Sequence, residues 1–274
     1  MKQLLILCLL ALSLNVRGQD GKFIETNGAK LYYEIHGQGD VLLLLHGNTM
    51  NLDMWSPWMA DLSKKYKVIT VDLRGHGKSS YPANEATHKQ YALDLYGLLD
   101  AIGMDKFRAM GFSTGAMTLL HMATMHSDRF KSLVLIGGAP YFTTETRKKM
   151  KTLSYDDVVL NNPDWVTYSK NIHPGGEDQL RGLFNNYVRW AAIYDDMNFT
   201  APYLSLIKCP TLIIHGDQDN FFPVEIPMFL YDHIPNAHLW IIPHFAHDTP
   251  EYGTVLGDLF LNTVLEFMSG AWND

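Results

Sequence analysis

The sequence predicts an α/β protein: a mostly parallel, eight-stranded sheet with helices on both faces and an inserted helical cap. Three observations predict it. Short apolar runs at 41–45, 68–71, 107–110, 133–136, 211–215 and 238–242 recur along the chain, and near-continuous apolarity marks strands covered on both faces. Between several of them lie segments with apolar residues at helical spacing, such as 88–102 with Tyr91, Leu95, Leu98, Leu99 and Ile102. The alternation breaks once, over about 140–206, where no strong strand appears but helix-like pieces and aromatics do. A structureless loop of that length is improbable, so the segment reads as a cap between two sheet strands.

The elements follow in order. Residues 22–26 and 29–35 flank Asn27-Gly28, a dipeptide that favours the type I′ turn of a hairpin. Val41–Leu45 ends at His46-Gly47-Asn48. Residues 51–66 read as a short helix carrying Trp55 and Trp58, and the strand at 68–71 exits into Asp72-Leu73-Arg74-Gly75-His76-Gly77-Lys78-Ser79. After the helix at 88–102, the strand from Phe107 runs into Gly111-Phe112-Ser113-Thr114-Gly115 and a helix reaching Met125. The strand at 133–136 closes on Gly137-Gly138. Beyond the cap come a strand at 211–215, a helix near 224–234, a strand at 238–242 and a last helix from about 250 to 268. Alternating strands and helices imply parallel pairing with right-handed crossovers. Functional groups in such sheets gather at the carboxyl ends of strands, where His46, Asp72, Ser113 and Gly137 all stand.

Gly-x-Ser-x-Gly between a strand and a helix is the pattern of a nucleophile elbow. The turn is tight, so its flanking positions must lack bulk. The serine is thrust above the sheet, and the following helix aims its amides and positive dipole end at the same spot. A serine nucleophile needs a base, and the base an orienting carboxylate. Downstream of Ser113 there are two candidates for each. Gly216-Asp217-Gln218-Asp219-Asn220 follows one strand and supplies Asp217 or Asp219. Pro243-His244-Phe245-Ala246-His247 follows the next and supplies His244 or His247.

On these motifs, taken with His46-Gly47, Asp72-x-Arg74-Gly75-His76-Gly77-x-Ser79 and Cys209-Pro210-Thr211, nearly the whole chain after residue 18 resembles the α/β-hydrolase superfamily, in its serine esterase and lipase-like form. The resemblance implies that Asp219 is the acid and His247 the base of a Ser113-Asp219-His247 triad. It implies an oxyanion hole built from the backbone amides of Asn48 and Thr114. It gives His46 and Asp72 structural roles as props of their loops, and His76 that of a hydrogen-bonder in the exit loop. Serine at the elbow departs from haloalkane dehalogenases and epoxide hydrolases, which place aspartate there. The activity implied is carboxylic-ester hydrolysis through an acyl-serine. Hydrolysis of a lactone, an amide or a carbon–carbon bond by the same triad, and a non-catalytic binding protein on the same scaffold, are the competing readings. Specificity on this scaffold lives in the cap, so an ester-like small molecule is expected to meet an apolar pocket. Trp55, Phe112, Trp165 and Trp190 are candidate walls, with Met117 beside them.

Composition bounds the rest. The chain has 274 residues, 47% hydrophobic and 19% charged, with a formal net charge of -7. That balance argues against nucleic acid or an anionic membrane as a partner. No cofactor and no metal site are expected. Cys8 lies in an apolar run, 4–12, after Met1-Lys2-Gln3, the anatomy of a secretory signal. Residues 1–18 are therefore expected to be a signal peptide cut before Gln19, leaving a secreted or periplasmic domain over 19–274 with no membrane anchor. Cys209 would be left alone, as a buried, inert thiol. The basic run Arg147, Lys148, Lys149 and Lys151 reads as a solvated helix face. Surface or loop roles are the default for His36, His88, His126 and His173. Oligomeric state has no signature in the sequence.

Overall fold

A computed structural model describes residues 21–80 and 86–272. The expected signal peptide, its cleavage point and Cys8 lie outside the described residues. The strands are β1 (Lys22–Thr26), β2 (Ala29–His36), β3 (Val41–Leu45), β4 (Lys67–Val71), β5 (Phe107–Phe112), β6 (Phe130–Ile136), β7 (Thr211–Gly216) and β8 (Ala237–Ile242). They form one eight-stranded sheet in the order β1-β2-β4-β3-β5-β6-β7-β8. β2 runs antiparallel to β1 and β4, and the remaining neighbours are parallel. The opening hairpin turns through Asn27 (φ 47°) and Gly28 (φ 75°), the two left-handed positions that a type I′ turn requires.

Helices cover both faces: α1 (Ser56–Leu62), α2 (His88–Ala101), α3 (Thr114–Met125), α4 (Thr144–Thr152), α5 (Tyr155–Asn161), α6 (Pro163–Ile172), α7 (Gly176–Ala192), α8 (Ala201–Leu204), α9 (Glu225–His233) and α10 (Val255–Ser269). The apolar strand β3 shows why both faces need cover. Its period of two sends Leu43 and Leu45 into the layer with Leu95, Leu99 and Leu119, and Leu42 and Leu44 into the layer with Trp58, Phe260 and Phe267. All four leucines are fully buried, and truncating any one to alanine would cost about 2–5 kcal/mol.

Some boundaries differ from the sequence expectation. Residues 51–66 divide into a 3-10 turn, Leu52–Trp55, and α1, because the Asn51 side chain caps the first piece and Pro57 opens the second. The last helix begins at Val255, with Thr254 as its cap accepting the Gly257 N–H, and ends at Gly270 with φ 88°, a common left-handed stop. The cap closes earlier than residue 206. The Phe199 N–H donates to the Pro140 carbonyl (2.9 Å), and Tyr141 bridges Asn198. The residues after Phe199 pack on the main body, with α8 against α3 and α9.

Three buried polar side chains correct surface expectations. His88 is fully buried at the start of α2, where its Nδ1 pairs with Asp196 Oδ2 at 2.7 Å. Asp196 also accepts the backbone N–H groups of His88 and Lys89, and its carbonyl meets His121 Nε2. Burial alone would push the Asp196 carboxyl up, but His88 and the hydrogen bonds from both histidines hold it far below the usual range. Arg147 is likewise buried, not solvated. Its Nη1 donates to the carbonyls of Trp190, Ala191 and Ile193, satisfying the carboxyl end of α7. Lys148 and Lys151 of the same run are exposed. His173 is buried as well, with Nδ1 on the Ser169 carbonyl. Cys209 is buried and unbridged, and burial pushes its thiol up to about 11.

Candidate active site

The elbow after β5 places Ser113 at φ 51°, ψ -114°, a strained setting of the kind found at functional positions. Its N–H is held by the Ile136 carbonyl at 2.8 Å. The glycines around it are steric necessities. A Cβ on Gly111 would lie 2.6 Å from the Gly115 carbonyl carbon, and one on Gly115 2.5 Å from the Leu45 oxygen. The turn therefore closes only with both side chains missing. Ser113 directly precedes α3, so the amino end of that helix faces its hydroxyl.

Two loops from later strands reach the same point. Asp219, past β7, and His247, past β8, meet with His247 Nδ1 2.5 Å from Asp219 Oδ2. A carboxylate only accepts, so the imidazole proton sits on Nδ1, and Nε2 is free to accept from Ser113 Oγ at 2.9 Å. Asp219 is fixed in turn: its Oδ1 accepts the backbone N–H groups of Phe221 (2.8 Å) and Phe222 (2.9 Å). Burial would raise its pKa, but His247 beside it and the Phe222 amide outweigh that and hold the carboxyl below its ordinary value. The other two candidates stand apart. Asp217 accepts the Phe245 N–H and shapes the turn, and His244 is exposed with Nδ1 taking a bond from Gln218. Gly137 (φ 55°) leaves the space that the imidazole fills, since a Cβ there would sit 3.1 Å from His247 Cε1.

The loop after β3 supplies the fourth side. Asn48 and Thr114 both border the cavity at Ser113. His46 is wholly buried, with Nε2 accepting the Leu73 N–H (3.0 Å) and Nδ1 donating to the Gly47 carbonyl (2.7 Å). Burial pushes its pKa down to about 3, so it stays neutral and props the loop. Asp72 joins two loops by accepting the N–H groups of Leu52 and Lys78. The Asn48 side chain is engaged on both ends. Its Nδ2 donates to the Leu183 carbonyl in α7 (3.2 Å), which turns Oδ1 toward His76 Nε2 (2.9 Å). Burial pushes the His76 pKa well down. Its Nδ1 meets the Arg74 carbonyl at 3.1 Å. The next residue, Thr49, takes φ 63°, which is unusual for a β-branched residue. Its hydroxyl donates to the Asn48 carbonyl, and the Tyr187 hydroxyl meets both side chains.

The space in front of Ser113 is a cavity of about 140 Å³. Phe112, Met117 and Trp190 line it. Trp55 and Trp165 do not. Trp55 is wholly buried in the core cluster with Leu42 and Leu44, and Trp165 packs edge-on to Phe184 in the cap's own core. Neither residue's identity encodes the direction in which its element faces. The remaining apolar and aromatic walls are Met50, Phe142, Met150, Tyr187, Phe221 and Phe222. Phe221 and Phe222 follow Asp219 closely in the sequence, with only Asn220 between, and that nearness was the available signal. Met150 carried none.

The cap is fastened over this space by bonds to the sheet rim. Gln179 donates to the carbonyls of Gly75 and Gly77, Trp190 Nε1 to that of Ala86, and Thr146 to that of Phe221.

Known proteins share this fold. A family model described as alpha/beta hydrolase fold matches residues 40–167. The chain is 26% identical over 277 residues to the 2-hydroxy-6-oxo-6-(2'-aminophenyl)hexa-2,4-dienoic acid hydrolase of Metapseudomonas resinovorans, covering 90% of each protein. Among solved structures it resembles a meta-cleavage product hydrolase from Pseudomonas fluorescens (TM-score 0.74, 24% identity, 92% of this chain and 98% of that one). It also resembles the enol-lactonase of Burkholderia xenovorans (TM-score 0.71, 24% identity, 90% of this chain and 100% of that one).

Proposed function

The chain belongs to the α/β-hydrolase superfamily, and on that premise we propose that it is a carboxylic-ester hydrolase working through an acyl-serine intermediate. The observation that carries this reading is the unbroken relay from Asp219 through His247 to Ser113, which opens on a cavity walled by apolar side chains.

The chemistry follows from the relay. Ser113 Oγ attacks the ester carbonyl carbon as its proton passes to His247 Nε2. Asp219 holds the tautomer and stabilises the imidazolium. The charge that builds on the carbonyl oxygen is taken by the backbone amides of Asn48 and Thr114, and one such donor is worth about 3 kcal/mol of barrier. The ester C–O bond breaks and the departing alcohol takes the proton from His247. Water then gives a proton to His247 and attacks the acyl carbon. The acid leaves, and Ser113 recovers its proton.

A fluorophosphonate probe and a p-nitrophenyl ester test the proposal. Labelling of the wild type, with neither labelling nor turnover by a folded Ser113→Ala variant, is expected. Retention of most activity by that variant would overturn it. A second reading is favoured by the relatives, among them a hydrolase of a dienoic acid: the same serine cleaving a carbon–carbon bond. A panel holding both a simple ester and a dienoic-acid substrate separates the two.

A further inference from the structure

We infer that the pocket in front of Ser113 selects short, uncharged acyl groups and rejects substrates bearing a carboxylate near the scissile carbonyl. This rests on the acyl-serine reading and narrows it to a substrate class.

The argument begins with charge. Phe112, Met117, Phe142, Met150, Trp190 and Phe222 present carbon and sulfur to the cavity. Four of the polar side chains at its wall are already committed. The Asn48 amide is shared between His76 and the Leu183 carbonyl, the Thr49 hydroxyl is on the Asn48 carbonyl, and the Tyr187 hydroxyl is on those two side chains. The Trp190 N–H is spent on Ala86.

Among the described residues, no lysine or arginine lines the cavity. Two cations that pack on its wall residues are engaged elsewhere. Arg147 lies over the rings of Phe142 and Tyr194 with its guanidinium on main-chain carbonyls, and Lys149 lies over the Phe221 ring with its ammonium on the Asn220 carbonyl. The formal charge beside the reacting atoms is Asp219, which is negative. A substrate carboxylate entering here would lose its hydration, gain no counter-ion and face a like charge.

Size points the same way. The cavity, about 140 Å³, is close to the roughly 150 Å³ of an apolar site that accepts benzene. It therefore holds an acyl group of about four to six carbons. In this the chain parts from the relative named for a dienoic acid.

Matched p-nitrophenyl esters supply the test. Butyrate, the neutral levulinate and the anionic hemisuccinate have acyl groups of similar length, so charge is isolated from size. Expected are a kcat/KM for butyrate at least about 100-fold above that for hemisuccinate, levulinate close to butyrate, and an optimum at four to six carbons in a chain-length series. Hemisuccinate turned over within tenfold of butyrate, by enzyme that labels at Ser113, would overturn the inference alone. Failure of Ser113 to label would overturn the acyl-serine reading and this inference with it. Protection against labelling repeats the comparison without turnover: butyl methyl ketone should slow the fluorophosphonate reaction and hexanoate should not. Equal protection by hexanoate would also overturn the inference.

Discussion

The side-chain amide of Asn48 donates to the main-chain carbonyl of Leu183, 3.2 Å away in the cap helix α7. The residue whose backbone N–H is proposed to hold the oxyanion is thereby tied to the element that covers the substrate. Its neighbour Thr49 sits in a left-handed conformation that nothing in its own chemistry favours, so the loop depends on these outside bonds for its shape.

Asn48→Asp should therefore lower kcat while leaving KM nearly unchanged. Aspartate still accepts from His76 but offers no donor to Leu183. Misplacing a catalytic group by about 1 Å costs on the order of 100-fold, and a loss of tenfold to that limit is expected. Steady-state kinetics on an activated ester, with circular dichroism to show an intact fold, checks it. A matching rise in KM would assign the side chain to substrate binding instead.

Gly137→Ala should damage both stability and activity. The left-handed backbone would cost about 1–2 kcal/mol for any residue with a Cβ, and that Cβ would press on His247 Cε1 from 3.1 Å. Thermal unfolding should show the first effect, and a kcat/KM at least about tenfold lower the second.

Asp219→Asn should lower kcat by about four orders of magnitude, because an amide can leave the proton on the wrong imidazole nitrogen. The two backbone N–H bonds to Oδ1 can persist, so the fold should survive. Kinetics paired with a melting curve separates this outcome from unfolding.

Asp196 governs stability as a function of pH. Its folded-state pKa is depressed, so its contribution is complete above the ordinary carboxyl value and is lost as pH falls through the folded value. Asp196→Asn should lower stability at neutral pH by about 3 kcal/mol. The gap between variant and wild type should narrow below about pH 4. Denaturant titrations across that range measure it, and a gap independent of pH would refute the ion-pair account.

Local signals carried much of this molecule. The apolar runs became β3 to β8, and Asn27-Gly28 became the hairpin turn, because both depend on neighbours in sequence. Ser113, Asp219 and His247 are brought into contact by loops that each follow a strand, and strand ends are readable. What was not legible depended on partners far along the chain. His88 reads as a surface residue until Asp196, 108 positions later, arrives beside it. Arg147 reads as solvated until the end of α7 closes over it. Trp55 and Trp165 show the same limit from the other side: aromaticity announces burial but not the cluster that does the burying. The engaged side chain of Asn48 could not be inferred either, since its role as a tether exists only once α7 is placed.

The meeting of Pro140 and Phe199 has a consequence for descent. The polypeptide leaves the main body and returns to it where Pro140 and Phe199 meet, so the two ends of the intervening lid lie together. Exchange of the segment would spare β6 and β7 but would remove the bonds that Leu183, Gln179 and Thr146 make to Asn48, to Gly75 and Gly77, and to Phe221. A new lid would have to bring its own grip on those loops along with its new walls.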